Sequence, residues 1–162
     1  MDKRQLGIFG IATVIVIAAV GLGLFLTRGN HVDLKGKVLK VRTAPIDAMS
    51  SIVVADFRFA NPSDYPFVVR SVTVTIADAA GKQTNGMTIS EIDAQHVFQA
   101  LPLLGEKYNR SLIARDSVPA HGSEDRMIAA RFELPESLID KRAQLLIHVE
   151  EADGNIAEIT EK

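Results

Sequence analysis

Residues 51–64, Ser-Ile-Val-Val-Ala-Asp-Phe-Arg-Phe-Ala-Asn-Pro-Ser-Asp, decide the fold class of this chain. Val53, Ala55, Phe57 and Phe59 recur with period two, and Asp56 and Arg58 stand between them. Side chains of a strand point alternately to opposite faces, so the pattern predicts a strand with one apolar and one wetter face. Asn61-Pro62-Ser63-Asp64 then ends it, because proline lacks a backbone donor and Asn, Ser and Asp bond their own backbone in turns.

The same alternation recurs outward from this stretch. Val72, Val74 and Ile76 alternate with Thr73 and Thr75. Ile128, Ala130, Phe132 and Leu134 alternate with Met127, Ala129, Arg131 and Glu133, and Leu145, Ile147 and Val149 with Leu146, His148 and Glu150. Each set predicts one buried and one wetter face, as in an antiparallel sandwich. Ala80-Gly81-Lys82 predicts a hairpin tip, and Asp153-Gly154 carries the signal of a tight turn with positive φ. Ser90 reads as an N-cap followed by acids. Ile92, Gln95, Phe98 and Leu101 then recur at helical spacing up to Pro102, so Glu91 to Ala100 is expected to be one short helix. Pro135 to Lys141 reads as a single helical turn. The sum is a mainly β domain over residues 33–162, an antiparallel immunoglobulin-like sandwich of about seven strands with one short helix.

Ahead of it, residues 6–26 form an apolar run without charge, Asn, Gln or Pro. As a helix the run spans roughly 31 Å, which matches a bilayer core of about 30 Å. It predicts a single transmembrane signal-anchor, with Leu6, Ile11, Ile15, Val20 and Leu26 among its lipid-facing or packed positions. Residues 1–5 form a basic flank and residues 27–32 a short polar exit. A cleaved secretory signal is the rival reading, supported by Lys3 and Arg4. The run is longer than the usual 7–15 residues of a signal h-region, and its end lacks a small-x-small site. Cationic residues flank both ends, but long domains translocate largely regardless of charge. The expected orientation is N-terminus cytoplasmic, C-terminal domain extracytoplasmic. Ala12, Ala19 and Gly23 share one helical face, where small residues permit close approach of a second helix and hence a homodimer.

Composition narrows function by exclusion. Of 18 Lys and Arg, Lys3, Arg4 and Arg28 precede residue 33; of 20 Asp and Glu, only Asp2 does. The remaining 15 against 19 leave residues 33–162 near −4. That balance argues against nucleic acid, whose recognition needs a basic patch, and against lying flat on an anionic bilayer. With no cysteine, disulfides, thiol catalysis and thiolate metal sites are excluded together. Asn109-Arg110-Ser111 is a glycosylation sequon, whereas Pro62 blocks the one at Asn61.

Phe57-Arg58-Phe59-Ala60-Asn61-Pro62-Ser63, followed by an Ala-Gly hairpin, Val118-Pro119-Ala120-His121-Gly122 and the strand to Leu134, resembles membrane-anchored domains of the WHy (water stress and hypersensitive response) type. Phe132-Glu133-Leu134-Pro135 after a Pro-Gly loop is similar to telokin-like bacterial envelope domains. The resemblance covers roughly residues 34–150. It implies an immunoglobulin-like fold and a protective, binding or scaffolding role, and supplies no catalytic residues.

The residues themselves offer no catalytic set. His31, His96, His121 and His148 lack the paired spacing of a zinc site. Asp93 and His96 share a helical face without a partner pair. No Gly-x-Ser-x-Gly elbow, phosphate loop or dinucleotide fingerprint is present. Glu150, Glu151, Asp153 and Asn155 around Gly154 only loosely imitate a calcium loop. No cofactor or metal is expected. Tyr65, Pro66 and Phe67 after the Asn-Pro turn, and Leu101, Leu103 and Leu104 after the helix, are the candidate interaction patch. For each set, cover for the end of the sandwich is the alternative. The expectation is a non-catalytic, membrane-anchored interaction or structural module with a protein partner. A membrane-anchored binder of a small molecule or lipid is the alternative, and an enzyme is not expected.

Overall fold

A computed structural model of the chain describes residues 34–161. In order, these form β1 (Lys35–Pro45), β2 (Ser51–Ala60), β3 (Phe67–Ala77), β4 (Gln83–Thr88), α1 (Glu91–Ala100), a 3-10 turn (Pro102–Leu104), β5 (Ser117–Val118), β6 (Ser123–Phe132), a one-turn α2 (Glu136–Ile139), β7 (Gln144–Glu151) and β8 (Ile156–Thr160). Among the described residues no helix is long and apolar enough to cross a membrane. The expected anchor at 6–26, its residues Leu6, Ile11, Ile15, Val20 and Leu26, and the Ala12, Ala19 and Gly23 face lie outside the described residues.

Antiparallel hydrogen bonding runs through the order β1-β2-β6-β4-β3-β7-β8, with β5 attached to β3. Eight strands agree with the expected count of about seven; the two-residue β5 is too short to have a period to read. β4 is the corner. Its Gln83–Gly86 pair with Ala77–Val74 of β3, and Met87 and Thr88 pair with Arg131 and Ala130 of β6. The sheet folds over there into two layers, β1-β2-β6 and β3-β7-β8. Gly86 permits the fold, since a Cβ on it would lie 2.6 Å from Phe132 Cζ. At the opposite edge β1 meets β8, and a Cβ on Gly36 would overlap the Ile159 side chain.

The alternating positions of the sequence fill the space between the layers. Val53, Ala55, Phe57 and Phe59 of β2 meet Ile128, Ala130 and Phe132 of β6, Val72, Val74 and Ile76 of β3, and Leu145, Ile147 and Val149 of β7. Phe67, Leu112 and Ile139 close the ends. The β7–β8 connection spans four residues, and only Gly154, at φ +90°, adopts the left-handed conformation within it.

The expectation of a wetter outer face is corrected on β2 and β6. Ile52, Val54, Met127 and Ala129 form a second buried cluster with Ala44, Ala94 and Leu104. Asp56 on the same face is only 4% exposed. The cause is α1, which lies across this layer and makes β2 a strand buried on both sides.

Candidate functional site

Helix α1 begins as the sequence predicts. The Ser90 hydroxyl accepts from the Asp93 amide and satisfies one of the free donors of the first turn. Its buried face, however, is Ala94, Val97, Phe98 and Leu101, at i, i+3, i+4 and i+7. Ile92 and Gln95, expected on that face, point outward, and Ile92 is 66% exposed.

A chain of charged side chains fastens α1 and the following loop to the sheet. The Arg42 guanidinium, on the outer face of β1, donates to Asp56 Oδ2 at 2.6 Å, to the Leu104 carbonyl at 2.6 Å and to the Glu106 carbonyl at 2.7 Å. It also lies over two rings, 5.0 Å from the centroid of Phe98 and 5.5 Å from that of Tyr108. Asp56 Oδ1 accepts from Asn109 Nδ2 at 2.9 Å. Lys107 Nζ donates to Glu91 Oε1 at 2.7 Å and to the Asn109 carbonyl, while the Ser111 amide donates to Glu91 Oε2 at 2.7 Å. Burial opposes the Glu91 charge, but the bonds from Lys107 and Ser111 outweigh it and hold the carboxyl down to about 2.

A bulge places Arg42 in this network. The β1–β2 register slips between Val38 and Lys40, so Lys40 and Arg42 share the outer face with Asp56. Nothing in the local sequence marks that slip. The sign that was available is Ile52-Val53-Val54-Ala55, four consecutive apolar residues, which indicates burial on both faces of β2.

The network presents a crest. Leu103 is 79% exposed and Tyr108 65% exposed, although the backbone between them is held by Arg42. Of the candidate patch residues, Leu103 is therefore at the surface, Leu101 is half-buried against α1's cluster and Leu104 is buried. At the other candidate patch, Tyr65 and Pro66 are exposed whereas Phe67 is wholly within the core. Phe67 and Leu104 serve as cover for the sandwich, which leaves Tyr65, Pro66 and Leu103 as the exposed residues of the two sets. They lie on different elements: Tyr65 precedes β3, and Leu103 follows α1. No local sequence signal marks Tyr108; its place beside carbonyls bonded to Arg42 distinguishes it.

The Asn-Pro and Pro-Gly motifs prove to be one unit. Asn61 Nδ2 donates to the Tyr65, Val118 and Pro119 carbonyls, and its Oδ1 accepts from the Ser63 amide and hydroxyl. The Asn61 amide donates to the Gly122 carbonyl. A buried asparagine thus ties both loops together at the end of the sandwich where β1 begins, opposite Lys35.

The histidines are dispersed. His96 is exposed on α1, His121 Nε2 lies 3.0 Å from Asp64 Oδ1 in an exposed pair, and His148 Nδ1 is 3.7 Å from Glu158. His31 lies outside the described residues. No group of three metal-ligating side chains is found among the described residues. In the loosely calcium-like hairpin, Glu150 turns to Ser71 and Arg70. Glu151 is buried, which raises its carboxyl above the ordinary range. Among the described residues the clefts include one of about 580 Å³ beside the start of α1, lined by Arg70, Ile92 and Ile113, and one of about 400 Å³ lined by Ile76, Leu134 and Leu138.

No family model matches the sequence, and no curated protein matches it. Among solved structures, an uncharacterized β-sandwich protein from Clostridium difficile 630 is similar at a TM-score of 0.41 and 10% identity, covering 80% of this chain and 86% of that one. A conserved hypothetical protein from Bacillus anthracis is similar at a TM-score of 0.32 and 9% identity, covering 78% and 97% respectively.

Proposed function

We propose that this chain is a single-pass, membrane-anchored interaction module whose extracytoplasmic immunoglobulin-like domain contacts a protein partner without catalysis. The observation that carries the reading is the crest. Tyrosine is enriched among the residues that carry binding energy, and a loop fixed beforehand lowers the ordering cost of binding. Arg42 holds the loop through two backbone carbonyls while Leu103 stays exposed. The apolar run at 6–26 supports the anchor. The strand order supports the fold: β1-β2-β6-β4 and β3-β7-β8 follow the ABED and CFG sheets of a constant-type immunoglobulin domain. The resemblance to WHy and telokin-like domains agrees with a binding or scaffolding role at the cell envelope.

The test is photo-crosslinking in native membranes, with benzoylphenylalanine placed at Leu103, at Tyr108 or at Lys82 on the β3–β4 turn. The reading expects one discrete adduct from both crest positions and none from Lys82. Equal, diffuse labelling from all three positions would contradict it.

A further inference from the structure

We propose that the outer face of β1 at its N-terminal end is a contact surface for anionic phospholipid headgroups. This rests on the anchored reading above. Gly36 and Val38 face inward, Gly36 against Ile159 and Val38 against the core, so Lys35 and Lys37 face outward. The slip between Val38 and Lys40 then returns Lys40 to that same outer face. Three exposed lysines consequently line one stripe, roughly 17 Å long at the rise of a strand.

The surroundings leave the stripe without an internal counter-charge. Lys37 lies directly opposite Arg58 on β2, a like-charge pairing that costs stability. Both acids of the neighbouring outer face are already engaged. Asp125 holds Arg58 through two bonds of 2.6 and 2.8 Å, and Asp56 holds Arg42 and Asn109. Lys35, Lys37 and Lys40 form no ion pair among the described residues. In a domain near −4 overall, a local excess of this kind at the N-terminal end of β1 is a site for an external anion. The chemistry of that anion follows from position. Lys35 stands nine positions beyond the apolar run that ends at Leu26. The surface within reach of so short a connection is the bilayer itself, and anionic phospholipid headgroups are the component of it that matches the charge of the stripe. The domain's acidic total opposes broad adhesion, and the stripe restricts contact to one face.

The experiment is lysine acylation of the full chain, read by mass spectrometry, in nanodiscs of zwitterionic phosphatidylcholine alone or mixed with anionic phosphatidylglycerol. Lys82 and Lys141, exposed toward the other end of the sandwich, are internal references. The proposal expects acylation of Lys35, Lys37 and Lys40 to slow about fivefold with the anionic lipid, the factor corresponding to attraction of one lysine to an anionic leaflet. It also expects recovery at 1 M salt, where the screening length falls to about 3 Å. Unchanged rates at the three lysines, or equal slowing at Lys82 and Lys141, overturn it. Alkaline extraction of the same chain from vesicles is read separately. Release from the lipid overturns the anchored reading whatever the acylation shows, and an acylation pattern indifferent to lipid charge overturns the headgroup contact whatever the extraction shows.

Discussion

Arg42→Met is the most informative perturbation of the domain. The substitution keeps an unbranched stem against Phe98 and Tyr108 but removes the charge that Asp56 and two loop carbonyls share. Arg42 and Asp56 side chains are 7% and 6% exposed, so solvent does not replace the lost partner. Removing one member of a buried pair leaves an uncompensated charge and costs about 3–5 kcal/mol. The upper half applies if the carbonyls of Leu104 and Glu106 also stay dry, the lower half if the loop opens and hydrates them. Against a total stability of about 5–15 kcal/mol, either is severe. Asp56→Asn alone also breaks the pair. The double variant Arg42→Met/Asp56→Asn leaves no orphaned charge, so its cost falls short of the sum of the single costs by about 0.5–3 kcal/mol, the range for directly contacting residues. The assay is a urea titration of the full chain in mild detergent, read by hydrogen exchange on peptides of β2 and β6. A cost below 1 kcal/mol for Arg42→Met, or strict additivity in the double variant, would refute the argument that this pair fastens α1 and the crest.

Three further outcomes follow from the same physics. The Glu91 carboxyl is held near 2 against an ordinary value of 4.5, so its contribution to stability is fully present above about 4.5 and is lost as pH falls toward 2. Glu91→Gln should flatten that acid limb of a stability-versus-pH curve, and an unchanged limb would count against the Lys107 and Ser111 bonds. Asn61→Ala should cost about 1–3 kcal/mol by stranding the carbonyls it satisfies, and should expose residues 61–67 and 118–122 to exchange together, not separately. Gly86→Val should cost about 1–3 kcal/mol by overpacking against Phe132, and thermal melting of the full chain measures it.

How much of this was legible in the sequence depends on the range of the interaction. Val53, Phe57, Ile128 and Ile147 declare their faces by period two, and Ser90 with its acids declares the start of α1, because each signal is local. The buried face of α1 differs from the expected one because Ala94, a small residue, makes the contact with the sheet while the larger Ile92 stays outside. The covering of β2 depends on where α1 docks, which links residues 52–56 to residues 94–111. The Arg42–Asp56 pair depends on a one-residue slip at Val38/Lys40 and on a hairpin bringing the two strands together. Tyr65 and Leu103 were found as apolar residues in loops. Phe67 and Leu104 carry the same local signal and go inward, since only the packed ends of the sandwich distinguish them.

The central claim, that the crest at Leu103 and Tyr108 is occupied by a partner at the membrane, has a direct measurement. The chain has no cysteine, so Leu103→Cys is its sole thiol. Its rate of reaction with a maleimide that does not cross membranes is compared in native membranes and in the purified full chain. The account predicts slow reaction in the membrane and fast reaction once purified, with the same probe at Lys82→Cys reacting equally in both. Equal, fast reaction of Leu103→Cys in both settings would contradict it.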